Sequence, residues 1–369
     1  MIDRAALLKL HRWVGLTVGV LLFVQGLTGT LLVFREEIEH LLYPELVVTP
    51  AATAVPVQQL VDTVRAATPD ATLQRIRFAE GAAAALFVMG GEDDRPRLVA
   101  VDPWRGEILR QGGYARWPTE LLFRVHDELL SGRTGEIIVS IEGIALAFLV
   151  IAGFILWWPG RRRLRSGFRV ITGQGADRAV RTTHRALGGA IAVVLLMSGL
   201  TGALLIHRAT LQSVLPMVPR PKFVVPEQAG QPLMAIDTLL SRARSEHGPL
   251  PLRELRFSGS KGQVIAYYFQ DPSSLRPNAT RQYFYNAYDG SELGRYEPAK
   301  LPLLNTAYDW LYTIHTGRAA RAPGRVLVLT GGLSLVFFVT SGAWLWLSAR
   351  QQRHARRMKA AARLAREPR

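Results

Sequence analysis

At 369 residues the chain is long enough for two or three soluble domains, yet it is 49% hydrophobic and 20% charged, with 45 Lys+Arg against 29 Asp+Glu and a formal net charge of +16. It has no cysteine, which excludes a disulfide framework, a zinc finger, a thiolate iron–sulfur cluster and thioether-linked haem. The charge is confined: residues 1–12, 159–185 and 348–369 hold nineteen basic and three acidic residues, the whole of the excess. Such blocks beside apolar runs mark cytoplasmic loops of a membrane protein and argue against a nucleic-acid partner.

In chain order, residues 1–35 are expected to be a cytoplasmic start and a first transmembrane helix, whose apolar run Val14–Phe34 is longer than a signal-peptide core and lacks a convincing cleavage site. Residues 36–118 read as an external α+β module. Its helix covers Pro56–Ala67 and its strands Leu73–Phe78, Ala84–Val88, Arg97–Asp102 and Glu107–Arg110, with a turn over Pro103–Gly106. Residues 119–158 hold a lead-in helix and the second transmembrane helix, Ile137–Trp158, and Glu142 is the only charge in any of the spans. A basic cytoplasmic loop, 159–185, leads to the third transmembrane helix, 186–207, with its apolar run Ala186–Ile206. Residues 208–302 read as a second module, with a helix over Pro232–Ser245, strands Glu254–Phe257, Gln263–Gln270 and Gln282–Asn286, and a turn at Asp289-Gly290. Residues 303–347 contain a further lead-in segment and the fourth span, Val326–Leu347, and 348–369 form a basic cytoplasmic tail.

Each apolar run has 21 or 22 residues, and a helix needs about 20 to cross a bilayer core. The basic blocks put both termini and the 159–185 loop in the cytoplasm and both modules outside, in the periplasm of a Gram-negative host. Trp157, Trp158, Trp344 and Trp346 fall at the cytoplasmic ends of their spans, where an interfacial aromatic belt is expected. In the second module, strand alternation should turn about half of the aromatics in Tyr267-Tyr268-Phe269 and Tyr283-Phe284-Tyr285 toward a core.

The chain is a tandem repeat. His11-Arg12 through Gly26-Leu27-Thr28-Gly29 to Arg35 aligns without a gap on His184-Arg185 through Gly199-Leu200-Thr201-Gly202 to Arg208. The second helices align at a constant offset of 189: His126 on His315, Gly135 on Gly324, Gly143 on Gly332, Gly153 on Gly342 and Trp157 on Trp346. The predicted fold is therefore a four-helix transmembrane bundle with two external α+β modules, its halves related by a pseudo-twofold axis along the membrane normal.

The repeat makes two histidine pairs. His11 and His184 lie at the cytoplasmic ends of spans one and three, and His126 and His315 lie just before spans two and four. Two equivalent imidazoles across such an axis suit the axial ligation of a b-type haem, and Gly15, Gly19, Gly26, Gly29, Gly188, Gly199 and Gly202 would leave room for a flat ring or let helices approach. The competing reading is that each histidine only anchors a helix at the headgroups. His207 replaces Phe34 in the repeat and could substitute for one member of the outer pair or help bind substrate. His40, His247 and His354 have no counterpart and read as surface residues. Gln25, Thr28, Ser198 and Thr201 are polar groups within the spans that serve either the histidines and haem propionates or a neighbouring helix. Glu142 is costly in hydrocarbon unless it pairs, takes a proton or reaches the interface.

His11-Arg12-x-x-Gly15 ending in Leu27-Thr28-Gly29-x-Leu31-Leu32, with His126-x-x-Leu129-Leu130-x-Gly132-x-x-Gly135 before the second span, resembles the PepSY-associated transmembrane proteins. The resemblance runs from about His11 to Leu347 and includes the external modules, which look like PepSY domains. That family includes inner-membrane ferric-siderophore reductases. The resemblance therefore implies two haems b, held at His11, His126, His184 and His315, that carry electrons across the inner membrane to a ferric siderophore and release Fe(II). One departure is that Thr316-Gly317-Arg318 follows His315 where the family has a Leu-Leu pair. No dinucleotide-binding fingerprint is present, so electrons would come from membrane quinol or a separate cytoplasmic reductase. The alternative is a non-redox membrane sensor or scaffold whose PepSY-like modules bind a peptide or protein. A transporter fits less well, because there are only four spans and none is broken by proline.

Overall fold

The computed structural model describes residues 3–79, 81–91, 96–259, 261–277 and 279–364. In chain order the elements are α1 (Arg4–Leu32), α2 (Arg35–Leu42), α3 (Val57–Ala67), β1 (Thr72–Arg77), β2 (Ala85–Gly90), β3 (Arg97–Val101), β4 (Ile108–Gly113), α4 (Pro118–Glu128), α5 (Gly132–Trp157), α6 (Leu164–Gly167), α7 (Ala176–Ile206), α8 (Arg208–Val214), α9 (Ile236–His247), β5 (Leu252–Ser258), β6 (Val264–Gln270), β7 (Thr280–Asn286), β8 (Glu292–Tyr296), α10 (Leu303–His315) and α11 (Arg321–Leu364). They fall into two compact units: a helical one, formed by the chain up to Val33, Phe123–Arg208 and the chain from Ile314 on, and a sheet-containing one, Phe34–Leu122 with Ala209–Thr313.

In the helical unit, α1, α5, α7 and α11 are long and apolar enough to cross a membrane, as the four hydrophobic runs predict. Asp3 caps α1 by accepting from the Ala5 amide at 2.9 Å. The core is Leu22, Leu146, Leu149, Ile191, Leu195 and Leu335. Two close crossings depend on glycine. A Cβ on Gly143 of α5 would lie 2.6 Å from the Gly199 carbonyl oxygen of α7, and one on Gly199 would lie 2.9 Å from that of Gly143. At the positions 173 or 189 residues away, Gly26 of α1 and Gly332 of α11 repeat the contact at 3.1 and 3.0 Å. Only a residue without a side chain lets two helix backbones meet in this way.

Of the expected belt tryptophans, Trp158 and Trp344 are exposed. Trp157 is buried instead: its indole N–H donates to the Gly167 carbonyl at 3.1 Å, and its ring packs on Phe168 where a Cβ on Gly189 would strike it. The segment after α5 folds back over this ring, which takes it out of the interface.

The sheet-containing unit has one eight-stranded sheet, in the order β4-β3-β2-β1-β5-β6-β7-β8, with every neighbouring pair antiparallel. Two helix-and-meander modules are present as expected, but they are not separate. Arg75, Ile76 and Arg77 of β1 pair with Arg256, Leu255 and Glu254 of β5, so each meander covers the edge strand that the other would leave open. α3 and α9 also share one core, in which Val57, Leu60, Val61 and Val64 join Ile236, Leu239, Leu240 and Ala243 over the same sheet face. The helices cap each other. Asp237 accepts from the Val57 and Gln58 amides at 2.9 and 2.8 Å, and the Gln58 side chain accepts from the Ile236 amide at 3.1 Å. Alternation sorts the aromatics as predicted: Tyr267, Phe269, Tyr283 and Tyr285 enter this core, and Tyr268 and Phe284 pack with Tyr296 on the other face.

Candidate paired-histidine site

All four repeat-related histidines belong to the helical unit. His126 lies in the last turn of α4 and His315 ends α10, and each is followed by a turn that reverses the chain into a spanning helix. The first turn passes through Leu129, Leu130 and Gly132, at φ 49°, 57° and 54°, and packs so tightly that a Cβ on Gly135 would lie 1.6 Å from the Glu128 carbonyl oxygen. In the second, Gly317 takes φ 73°, and a Cβ on Gly324 would lie 2.0 Å from the Gly317 carbonyl oxygen. The missing Leu-Leu pair after His315 thus changes the turn and leaves its histidine in an equivalent place.

The structure brings His126 and His315 together, with ring centres 6.1 Å apart and planes inclined by 47°. Their surroundings fix the tautomer. Thr28 Oγ1 donates to the Val24 carbonyl at 2.7 Å, so toward His126 Nδ1, 2.9 Å away, it can only accept. Thr201 Oγ1 likewise donates to the Met197 carbonyl at 2.6 Å and lies 3.1 Å from His315 Nδ1. The Ser198 carbonyl, an acceptor only, is 3.2 Å from that same Nδ1. Both rings therefore carry the proton on Nδ1 and keep Nε2 as the lone-pair nitrogen, with no hydrogen bond to it seen among the described residues. Burial pushes both imidazoles below the ordinary histidine range, and His315 adds to the effect on His126, so both are neutral at pH 7.

The Leu-Thr-Gly motif acts twice at each ring. Its threonine accepts from Nδ1, and its glycine makes room for the imidazole: a Cβ on Gly29 would lie 2.9 Å from His126 Cε1, and one on Gly202 3.1 Å from His315 Cε1. Beside this motif the Gln25 side-chain Nε2 is buried with no hydrogen-bond partner.

His11 on α1 and His184 on α7 are the second repeat-related pair. His184 Nδ1 lies 2.7 Å from Ser341 Oγ, which also reaches the Phe338 carbonyl at 3.2 Å. His11 lacks that partner. Ala152 occupies the position equivalent to Ser341, and His11 Nδ1 is buried without a hydrogen bond, its ring against the Leu149 backbone and Gly153. Eighteen residues of unbroken helix separate His11 from Gly29 and His184 from Gly202, so the two histidine layers stand about 27 Å apart.

His207 follows α7 and does not join either pair through a ring contact. Its Nε2 is 2.7 Å from Ser140 Oγ, so the atom that the other histidines keep free is engaged. Glu142 is only 2% exposed, and neither of its oxygens has a hydrogen-bond partner, so it does not reach the surface. His40 and His354 are exposed as expected. His247 is not: it lies in the sheet-containing unit with its side chain 9% exposed.

A family model described as the PepSY-associated TM region matches residues 8–349. No curated protein matches the chain.

Proposed function

The chain belongs to the PepSY-associated transmembrane family and is a membrane protein with four helices able to span the bilayer, and from the site it carries we propose that it is a haem-containing inner-membrane reductase. It would pass electrons from quinol or a cytoplasmic reductase to a ferric siderophore in the periplasm. In this reading both termini are cytoplasmic, the sheet-containing unit is periplasmic and a pseudo-twofold axis along the membrane normal relates the halves. His126 and His315 then serve the outer haem b, and His11 and His184 the inner one.

The observation that carries the reading is the His126–His315 pair. Two imidazoles on opposite sides of one metal, each bonded at about 2 Å, have ring centres about 6 Å apart. The pair stands at 6.1 Å, both rings neutral and both with Nε2 free. The donor set and the glycine cradles fit a bis-imidazole haem. Bound haem would supply one-electron transfer at a potential set by its axial ligands and their hydrogen bonds.

The protein's own residues keep the imidazoles ready. Thr28 and Thr201 accept from Nδ1, which orients each ring and raises the basicity of its Nε2, and Ser341 orients His184 through the same atom. The substrate chemistry is simple: one electron converts Fe(III), which hard oxygen donors hold tightly, into Fe(II), which they release with the chelator intact.

The test is the absorption spectrum of the detergent-purified protein, oxidised and dithionite-reduced, with haem quantified per chain. Two haems per chain in the wild type and one in His126→Ala and in His184→Ala are expected, followed by ferric-siderophore reduction by the reduced protein. A colourless protein from haem-replete cells rejects the reading and leaves the sensor or scaffold alternative.

A further inference from the structure

Glu246 and His247 end α9, and Glu292 begins β8. His247 Nε2 is 2.9 Å from Glu292 Oε2 and 3.9 Å from Glu246 Oε2, and all three atoms lie within 4.8 Å of one another. The other carboxylate oxygens point elsewhere. Glu246 Oε1 accepts from Arg242 at 3.0 Å, and Glu292 Oε1 from Arg295 at 2.8 Å, so one oxygen of each acid is left to face the imidazole.

Two tyrosines hold this arrangement. The His247 ring stacks on Tyr283 at 3.6 Å and 8°, and the Tyr285 hydroxyl donates to Glu246 Oε2 at 2.7 Å. The first module has the same framework without these groups. Val57, Leu60, Val61 and Val64 on α3 match Ile236, Leu239, Leu240 and Ala243 on α9, which sets Ala67 and Thr68 where Glu246 and His247 stand. Beside the bulge in each meander, Val101 pairs with Ile108 as Tyr285 pairs with Glu292, and Val99 takes the place of Tyr283. The fold is therefore complete without the three ligand-type groups and the two tyrosines. All five occur together in one copy, on α9, β7 and β8.

We propose that Glu246, His247 and Glu292 form a binding site for a divalent first-row transition-metal ion. One imidazole nitrogen and two carboxylate oxygens suit such an ion, with water or a carrier in the remaining positions. Metal bonds of about 2.1 Å require donor atoms about 3 to 3.5 Å apart; the His247–Glu292 pair is already at this spacing, and a shift of about 1 to 1.5 Å in Glu246 completes it. The ion would replace the hydrogen bond between His247 and Glu292 and balance both carboxylates. The site stands on this geometry alone. Only the identity of its natural ion as Fe(II), the product of siderophore reduction, rests on the reductase reading.

The experiment is titration of the tag-free, detergent-purified full chain with Zn2+ and, anaerobically, with Fe2+, followed by calorimetry, with haem content and thermal unfolding recorded in parallel. One ion per chain is expected in the wild type. Binding should be at least tenfold weaker in Glu292→Gln and in His247→Ala. Glu246→Gln, at an exposed position, should weaken it too with no change in unfolding temperature. Absence of stoichiometric binding of either ion, or equal binding by wild type and all three variants, overturns the site. Zn2+ binding without Fe2+ binding overturns its role with iron. A haem-free protein that still binds Zn2+ supports the site while rejecting the reductase reading.

Discussion

Replacing Thr28 by valine keeps the side chain's shape and removes the acceptor of His126 Nδ1–H. The lost bond is 2.9 Å long, in a buried setting where an unsatisfied donor costs about 1–3 kcal/mol. At the lower end of that range the loss is about 1 kcal/mol, or about fivefold in affinity. Thr201→Val should do less, because His315 shares its Nδ1–H between Thr201 at 3.1 Å and the Ser198 carbonyl at 3.2 Å. The assay is the rate of haem loss to an excess of a haem-scavenging apoprotein. About fivefold faster loss of one haem is expected in Thr28→Val, a smaller acceleration in Thr201→Val, and an unchanged rate for the second haem. Unchanged kinetics in Thr28→Val, or a larger effect of Thr201→Val, would refute the assignment of Nδ1 as donor and Nε2 as ligand.

Ala152→Ser should give His11 the partner that Ser341 gives His184 and slow loss of that haem by about 1 kcal/mol, whereas Ser341→Ala should speed it; haem-loss kinetics check both. Gly199→Val would drive a Cβ to 2.9 Å from the Gly143 carbonyl, a backbone atom that cannot turn aside, so a cost of about 3 kcal/mol and a clear drop in unfolding temperature are expected, with wild-type stability as the refuting result. In the sheet, Arg75 faces Arg256 directly across β1 and β5, and Glu254 lies 4.0 Å from the first and 2.9 Å from the second. Glu254→Gln should therefore destabilise the protein by about 1 kcal/mol in denaturant unfolding, and the loss should shrink at high salt.

The spans, the repeat and the pairing of His126 with His315 were legible in the sequence because each rests on a strong local signal. A charge-free run of 21 residues can hardly be anything but a spanning helix, and two gapless matching segments put equivalent residues in equivalent places. The joining of the two modules was not legible. A β1 strand of Thr72–Arg77 reads the same whether its outer edge meets water or β5, and the pairing of Ile76 with Leu255 spans 179 residues, a separation at which periodicity carries no information. The mutual capping of α3 and α9 is hidden for the same reason: neither helix has a capping residue of its own, and Asp237 serves an amide 180 residues earlier. The role of Thr28 and Thr201 stayed open in the sequence between histidine and neighbouring helix. It was decided only when both bonds of each hydroxyl could be counted.

The departures from symmetry carry the most functional information, because the fold does not require them. Ala152 in place of Ser341 leaves His11 and His184 with different hydrogen bonding, so two haems at these layers would differ in the basicity of their ligands even on a symmetric scaffold. His247 and the four side chains around it depart in the same sense, on the second module only. His247 looked like a surface residue because its partners, Glu292 and Tyr283, are 45 and 36 residues away and reach it through the β7–β8 hairpin. Where two segments of one chain align in sequence, the chemistry is best sought at the positions where they differ.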